Sequence, residues 1–452
     1  MSRLAGAGCM LPGAGCVVPG SGRGRLAALL AAAALAVLGV PTTGAAQLPL
    51  IPDRNVSFDT DEGTWMSVAV SPDGQTLAFD LLGDIYTLPV QGGTARQITA
   101  GMAYDSQPAF SPDGKRIAFL SDRSGAENLW VARVDGTEAL QISVRNDNPI
   151  FVTPAWSADG SSIYVCEFRA DLSSYELWKF AARAGGAGER IIPSKPSPSA
   201  RADEFVSTLG VTASRDGRFI YYASHTGRIE LGQIPQWTIK RRNLKTGEEE
   251  TVVYANASPR PDLNSETAFR PVLSPDGRRL VYGTHLDGRT GLRLLDLDTL
   301  TDRSLAYPVQ QDQLGASSWS DLLPGYAFTP DGRALILSDG GKLRRLDVAS
   351  GHSTAIPFHA HVSQDLGPFL RVGIRQETGP VRARIIQTPE QSPDGRRLVF
   401  SALAHLWIMG LDGRSRPRRL EAGEQPAFMP SWSPDGHVIV YVTWTARDGG
   451  HL

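Results

Sequence analysis

The chain has 452 residues, 41% hydrophobic and 20% charged, a composition typical of a globular protein rather than a disordered one. Its 47 glycines and 31 prolines favour many tight turns, and therefore short strands over long helices. Residues 47–452 carry 42 basic and 47 acidic side chains, which argues against a nucleic-acid partner because such proteins concentrate positive charge on one face.

An apolar segment near the start of the chain predicts export. Residues 26–40 form an apolar run that follows two arginines and precedes small residues. A membrane-spanning helix needs about 20 apolar residues, so this run is short for an anchor, and the small residues predict cleavage after Ala46. We therefore expect residues 1–46 to be a signal peptide and residues 47–452 to be periplasmic or secreted, with no remaining membrane span. The exported part would keep one cysteine, Cys166, so no internal disulfide is possible.

One four-residue turn recurs eight times along the rest of the chain. The copies are Ser71-Pro72-Asp73-Gly74, Ser111-Pro112-Asp113-Gly114, Ser157-Ala158-Asp159-Gly160, Ser214-Arg215-Asp216-Gly217, Ser274-Pro275-Asp276-Gly277, Thr329-Pro330-Asp331-Gly332, Ser392-Pro393-Asp394-Gly395 and Ser433-Pro434-Asp435-Gly436. Their first residues are 40, 46, 57, 60, 55, 63 and 41 positions apart. The shortest interval matches the roughly 40–45 residues of a four-stranded propeller blade.

The residue types of this turn predict a hairpin at each copy. Proline presets φ, aspartate bonds its own backbone and glycine accepts a positive φ. Flanking residues alternate as in half-buried strands, with Ile117 and Phe119 after one turn and Leu280 and Tyr282 after another.

The second repeat shows a complete blade. Its sequence predicts strands at residues 107–110, 116–120, 128–134 and 140–143. The fold predicted for the chain is therefore all-β, a β-propeller of four-stranded blades with seven to eight repeats. A two-sheet sandwich is the structural alternative, but its strands would not need the same turn every four strands.

The middle intervals exceed one blade by ten to twenty residues, and the excess must form loops. The predicted insertions are residues 192–200, 227–237, 258–266 and 310–323. Such insertions often lie on one face of a repeat fold and form a binding surface, while loops of variable length without function are the alternative.

The final repeat predicts an incomplete ring. Aligned on the second repeat, Leu452 falls opposite Leu129, inside the third strand of a blade. Either residues 56–59 help to close the ring by pairing with the last blade, or the last blade is truncated before further repeats and a catalytic domain. Truncation is the favoured interpretation.

Two stretches of the second repeat, residues 110–125 and 128–131, resemble the repeat of TolB, the periplasmic propeller of the Tol system. The resemblance covers nearly all of residues 56–452. Similar repeats occur in tricorn-type proteases, in relatives of prolyl oligopeptidase and in exported amidohydrolases whose catalytic barrel follows the propeller.

Three further stretches resemble the propeller of the amidohydrolase group more specifically, namely residues 58–71, 79–89 and 305–309. This resemblance implies an exported propeller that binds substrate for, or gates access to, a metal-dependent amidohydrolase barrel that this chain lacks. Two alternatives remain open: a stand-alone, TolB-like propeller that binds envelope proteins, and the propeller of a tricorn-like or prolyl-oligopeptidase-like peptidase. The partners would accordingly be the chain's own further domain, envelope proteins, or a small-molecule or peptide substrate.

No catalytic, cofactor or metal residue is assigned from the sequence. It contains no G-x-S-x-G, H-E-x-x-H, Walker or C-x-x-C motif. His359 and His361 form an H-x-H pair, with which amidohydrolase barrels begin their metal site, but the remaining ligands are absent and we expect two loop histidines.

Other charged residues suggest a structural role. Asp122, Arg123 and Asp448 lie in the same loop of equivalent repeats, and repetition favours a role in satisfying backbone groups. The basic run 240–242 predicts a solvated strand or loop edge rather than a binding patch.

Overall fold

The regular structure is almost entirely β-strand. The computed structural model describes residues 51–147, 149–228, 235–255, 267–314, 321–368, 373, 378–420 and 423–452. The chain divides into two compact units, Met1–Pro368 and Phe369–Leu452. A single short 3₁₀ helix, Ala202–Glu204, is present in the described residues of the first unit.

Six sheets make up the first unit. The strands of the first three sheets are β1 (Arg54–Thr60), β2 (Val68–Val70), β3 (Thr76–Leu81), β4 (Asp84–Pro89) and β5 (Gly93–Gln97); β6 (Asp105–Phe110), β7 (Arg116–Ser121), β8 (Asn128–Arg133) and β9 (Leu140–Gln141); and β10 (Ile150–Trp156), β11 (Ser162–Arg169), β12 (Ser174–Ala181) and β13 (Glu189–Ile192). Those of the next three are β14 (Val206–Ala213), β15 (Phe219–Thr226), β16 (Thr238–Asn243) and β17 (Glu249–Val253); β18 (Phe269–Leu273), β19 (Arg279–Leu286), β20 (Arg289–Asp296) and β21 (Asp302–Ala306); and β22 (Ala327–Phe328), β23 (Ala334–Asp339), β24 (Lys342–Asp347) and β25 (Ser353–Ile356). One further strand, β26 (Phe358–Leu366), joins the first sheet.

Each sheet is a blade whose four repeat strands pair antiparallel in chain order. The recurring turn joins the first and second strands, so we call that end of the blades the turn face. The connections between second and third strands, and the crossovers to the next blade, therefore lie at the opposite end, the crossover face. The all-β propeller of four-stranded blades is confirmed, and the second repeat has its four strands where the sequence predicted them.

The turns have the hydrogen bonds that their residue types predict. In the second repeat the Ser111 hydroxyl donates to Asp113 at 2.5 Å and accepts the Arg116 amide at 3.0 Å. Gly114 has φ +69°, a region that glycine enters without a steric penalty. The same hydroxyl-to-aspartate bond is present in all eight turns, which accounts for the fixed sequence of the repeat.

The second strands supply much of the core between blades. Phe79, Phe119, Tyr222 and Tyr282 each lie eight residues after the first residue of a turn, and all four are at most 3% exposed. Burying an aromatic side chain of this size stabilises a fold by roughly 1.5–3 kcal/mol, so the alternation in these strands holds neighbouring blades together.

The sixth blade contacts the first blade, so the first unit forms a ring of six blades. The Val68 amide donates to the Gly325 carbonyl at 2.9 Å. At the turn face, a Cβ placed on Gly74 would lie 3.1 Å from Pro330, as one on Gly114 would lie 3.4 Å from Pro72 in the preceding blade. Six of the eight repeats therefore close among themselves.

Two strands from distant parts of the sequence extend the outer edge of the first blade. β26 pairs parallel with β5, and β1 pairs antiparallel with β26. The Gly93 amide donates to the Pro357 carbonyl at 2.9 Å, where the chain leaves the sixth blade for the first. Residues 56–59 thus do pair with another strand, but their partner is β26 rather than the last blade.

The second unit contains the last two repeats. Its strands are β27 (Gln387–Gln391), β28 (Arg397–Ala402), β29 (His405–Gly410) and β30 (Arg418–Arg419) in one sheet and β31 (Ala427–Trp432), β32 (Ile439–Thr445) and β33 (Gly449–His451) in the other. The contact between successive turns recurs here, because a Cβ on Gly436 would lie 3.5 Å from Pro393. No helix among the described residues of the chain is long and apolar enough to cross a membrane.

Candidate functional site

The first strands of the six blades surround a central channel of about 550 Å³. The channel exists because one position in each repeat, two residues before the turn, carries a small or medium-sized side chain. These residues are Ala69, Ala109, Ala155, Thr212, Val272 and Ala327. Most of the remaining lining is neutral, so the wall offers apolar surface with scattered hydroxyl groups.

A second position, four residues before the turn, surrounds the channel at the crossover face. Its residues are Ser67, Gln107, Thr153, Gly210, Arg270 and Gly325, of which all but Gly210 line the channel. In the second to fifth blades the backbone here is left-handed, with φ between +50° and +64°, and the strand pairing shifts register. Such a φ is unusual for a β-branched residue like Thr153, and strained backbone of this kind is concentrated at functional sites.

Polar groups of neighbouring blades connect these bulges on one side of the channel. The Asp80 carboxylate accepts the Ser67 amide at 2.6 Å and the Gln107 amide at 2.8 Å, which joins the first blade to the second. The Gln107 side chain then accepts the Thr153 amide at 2.8 Å, which joins the second blade to the third. The thiol of Cys166 takes the corresponding place beside the Gly210 amide, and its burial raises its pKa to about 12, so it stays protonated.

Arg270 connects the other side of the channel. Its guanidinium donates to the Thr153 hydroxyl at 2.8 Å and forms an ion pair with Asp321, which precedes the sixth blade. The Thr153 hydroxyl in turn donates to Asp321. The Arg270 carbonyl accepts a hydrogen bond from the Tyr326 hydroxyl, which joins the fifth blade to the sixth. The Gly325 amide donates to the Ser67 hydroxyl at 3.0 Å, which joins the sixth blade to the first.

We call Thr153, Arg270 and Asp321 the crossbar, because their side chains meet at the crossover end of the channel. The Arg270 and Asp321 side chains are 10% and 2% exposed. Burial lowers the pKa of Arg270 to about 10, which leaves the guanidinium charged at neutral pH opposite its carboxylate partner. A buried pair with additional hydrogen bonds holds its geometry firmly, so the crossbar links the third and fifth blades across this end of the channel.

Asp80 differs in charge from the residues at the same place in the other blades. Burial raises its pKa to about 7, although the amides of Gln107 and Ser67 act in the opposite direction. A carboxyl group that titrates near neutral pH beside a channel is the kind of perturbed group that marks a functional region.

The H-x-H pair lies far from this channel. His359 and His361 are in the middle of β26, so the predicted loop position is wrong. Both are exposed, and His361 contacts the Asp59 carboxylate at 2.8 Å and the Ser57 hydroxyl at 3.1 Å across the β1–β26 ladder. No group of three or more potential ligands that could hold a metal ion occurs in the described part of the chain.

The other charged residues singled out from the sequence make local contacts. Asp122 accepts the Tyr104 amide at 2.8 Å, and Arg123 bridges to the fully buried Asp105 at 2.6 Å. Asp448 accepts the Thr445 hydroxyl at 3.3 Å within its own loop.

The basic run 240–242 lies on β16. Its three side chains pair with Glu249 and Glu250 of β17 at 2.6–3.8 Å. The run is therefore one side of a cross-strand ladder of opposite charges.

Sequence reasoning missed Arg270, Thr153, Asp321 and Asp80. The signal for Arg270 was present, because aligning the eight repeats on their turns puts a single charged residue in a column otherwise occupied by Ser, Gln, Thr, Gly and Met. Asp321 had no such signal, since it lies in a predicted insertion outside the repeat.

The architecture defines a β-propeller, and the comparisons with known proteins agree. Residues 54–227 match the PD40 model, described as the TolB beta propeller domain. The matched stretch runs from β1 to the end of β15 and includes the first three blades.

Curated relatives match parts of the chain. A tricorn protease homolog of Streptomyces coelicolor is 24% identical over 244 residues, 47% of this chain and 22% of the relative. An uncharacterized protein of Agrobacterium fabrum is 31% identical over 106 residues, 23% and 36% of the two chains. The uncharacterized peptidase YuxL of Bacillus subtilis is 27% identical over 207 residues, 45% and 25%. The chain spans well under half the length of each.

Among solved structures, the chain aligns with TolB from Acinetobacter baumannii at 16% identity and a TM-score of 0.45, covering 66% of this chain and 65% of that one. The tricorn protease aligns at 14% identity and a TM-score of 0.44, covering 86% of this chain and 39% of that one.

Proposed function

We propose that the first unit is a ligand-binding module whose binding site is the central channel, and that it binds substrate for a hydrolase without itself breaking bonds. The observation that carries this proposal is the channel, where six strands enclose about 550 Å³ behind a lining of mostly neutral residues. Ligand sites in proteins are usually clefts of roughly 300–1,000 Å³ with apolar walls and a few polar groups.

The crossbar favours retention of a ligand over passage of a substrate through the ring. Arg270, Thr153 and Asp321 meet across the crossover end. The entrance that we propose is therefore the turn face. A ligand that enters there meets a wall of alanine, valine and proline and stops at the crossbar.

The class of hydrolase rests on sequence likeness. Two of the relatives reported above bear the names of a tricorn protease homolog and a peptidase, which supports a peptidase-associated propeller and a peptide ligand. The amidohydrolase-associated propeller is supported by the resemblance of residues 58–71, 79–89 and 305–309. The match of residues 54–227 to the TolB beta propeller domain supports a protein-binding, TolB-like alternative with envelope partners. The apolar run at residues 26–40 supports export to the periplasm or the medium.

Peptide binding by the full chain tests the proposal. Fluorescently labelled peptides from a tryptic digest of casein are titrated with the wild-type chain and with Ala155→Phe, which fills the channel. Ala349→Phe, on an exposed outer turn, is the matched control. We expect saturable binding by the wild type and the control and loss of binding in Ala155→Phe, with the peptides uncleaved by mass spectrometry.

The opposite results are equally clear. If Ala155→Phe keeps its cooperative thermal transition and binds the peptides as tightly as the wild type, the channel is not the binding site. If the peptides are cleaved, the unit is catalytic. If Ala155→Phe does not fold, Ala69→Phe places the same bulk at the same level of another blade.

A further inference from the structure

The charges of the channel point to the chemical class of its ligand. Among the described residues that line it, two carry a full charge at neutral pH, Arg215 and Arg270, and both are cations. Arg270 is already neutralised by Asp321 in the crossbar. Arg215 is exposed at the turn face, and no carboxylate of the described residues lies within ion-pair distance of its side chain.

Arg215 is a departure from the repeat. Proline occupies the second position in six of the eight turns, and Ala158 and Arg215 are the exceptions. These two turns are neighbours, and both line a groove of about 750 Å³ between the third and fourth blades that continues from the channel mouth. Of the turn residues, those that line the channel itself are serines, prolines, Ala158 and one cation, Arg215, whereas Asp159 and Asp216 of the same turns line the neighbouring groove.

The lining below the rim combines apolar side chains with hydroxyl and amide groups. Val68, Val211 and Val272 lie along the wall with the alanines described above, and Phe110, Trp156 and Phe328 lie near the turn face. A strand rises about 3.3 Å per residue, so five residues of wall give a depth of roughly 16 Å before the crossbar. An apolar body of that length would replace water along the wall, whereas a second charge inside would have no partner.

We infer that the channel binds a monoanion with an apolar body, a carboxylate that lies beside Arg215 at the mouth while the body extends toward the crossbar. This inference rests on the proposed function and names its ligand class. A guanidinium suits a carboxylate because two N–H groups donate in parallel to its two oxygens. The carboxylate could belong to a short peptide or to a small organic acid, and the chemistry at Arg215 is the same for both.

The test compares acids with their amides on the full chain. The probes are N-acetyl-phenylalanyl-alanine and 4-phenylbutyrate, each with its primary amide, measured by isothermal titration calorimetry at low and high salt. We expect each bound acid to bind roughly tenfold more tightly than its amide, because a hydrogen bond to a charged group is the stronger kind. The difference is expected to shrink at high salt.

The variants separate the charge from the fold. Arg215→Pro restores the sequence of the other turns and removes the charge, and Arg215→Gln is a second variant without proline. Arg218→Gln, an exposed arginine just after the same turn that does not line the channel, is the matched control. We expect both Arg215 variants to lose the preference for the acid and the Arg218 variant to keep it.

Each outcome decides the inference. Binding of the peptide acid alone, of phenylbutyrate alone or of both supports it and identifies the source of the carboxylate. Equal affinity for acid and amide, or an acid preference that survives in Arg215→Gln, overturns it. If neither acid binds while casein peptides do, the inference fails and the proposed function stands; if no ligand binds at all, both fail.

Discussion

The contribution of the crossbar to the stability of the first unit can be tested by substitution of its ion pair. Arg270 and Asp321 form a nearly buried ion pair, with side chains 10% and 2% exposed. Replacing Arg270 by Met leaves the Asp321 carboxylate buried without its cation, and breaking such a pair costs about 3–5 kcal/mol. We expect a similar loss for Asp321→Leu, which leaves the guanidinium buried without its carboxylate.

The double variant is the decisive member of this set. Replacing both partners with apolar side chains removes two buried charges together, and such replacements are often neutral or stabilising. We therefore expect the unfolding free energy of Arg270→Met/Asp321→Leu to lie within about 1 kcal/mol of the wild-type value. The loss in the double variant should be much smaller than the sum of the two single losses. The assay is urea unfolding of the full chain, followed by tryptophan fluorescence and far-UV circular dichroism.

An exposed pair provides the control. Arg201 and Asp203 are 2.8 Å apart but 74% and 66% exposed, and Arg201→Met should cost at most about 1 kcal/mol. Single crossbar variants that cost no more than this control, or a double variant whose loss equals the sum of the two single losses, would refute the description of the crossbar as a buried, coupled pair.

Two further predictions concern pH and ring closure. Asp80 has a pKa of about 7 in the folded chain, above its ordinary value of 3.8, so the folded state retains a proton that the unfolded state has lost and stability falls as pH rises between these values. Asp80→Asn should reduce the fall in unfolding free energy between pH 5 and 7 by up to roughly 1.4 kcal/mol per pH unit. Asp135→Asn, at an exposed carboxylate whose pKa is lowered, should leave the pH dependence unchanged. Equal slopes of unfolding free energy against pH in the wild type and both variants would contradict this. Gly92→Ala should lower the urea midpoint more than Gly93→Ala. Both glycines have a positive φ, but a Cβ on Gly92 would lie 2.1 Å from the Pro357 carbonyl oxygen, whereas one on Gly93 would meet nothing within 4 Å. Equal midpoints would show that this close approach does not help to hold β26 against the first blade.

The repeat made the blades predictable because the recurring turn is a local signal. Its serine or threonine, its aspartate and its glycine make the same hydrogen bonds and backbone angle in every copy, so their role does not depend on the rest of the chain. The alternation after each turn was equally local, and Ile117 and Phe119 are buried as it predicted. Ala118 and Leu120 are buried as well, so the prediction of a half-buried strand is wrong here, because the second strand is covered on both faces.

The pairing of β26 with the first blade and the crossbar of the channel could not be predicted, because both depend on contacts between residues that are distant in sequence. Nothing in the sequence near β26 indicates that it would pair with β1 and β5, and the H-x-H pair was therefore assigned to a loop. Arg270 was visible as an exception within an aligned column, but its partner Asp321 lies in an insertion that has no counterpart in other blades.

The predicted insertions are partly described. Residues 192–200 and the described parts of 227–237 and 310–323 connect strands at the crossover face, and residues 258–266 lie outside the described residues. The flanking strand order shows why these connections share a face: in each blade the turn occupies the opposite end. The sequence alone indicated that the insertions exist, while their common face follows from the strand order.

The pairing of β1 with β26 has a consequence for how the chain folds. Asn55 and Ser363, which hydrogen-bond across this ladder, are 308 positions apart in sequence. A contact between such distant residues costs loop-closure entropy before it returns any stability, and topologies rich in them fold slowly. During synthesis, residues 54–60 must wait as an unpaired strand until five more blades and β26 have left the ribosome, so completion of the ring is expected to be the last step in folding of the first unit.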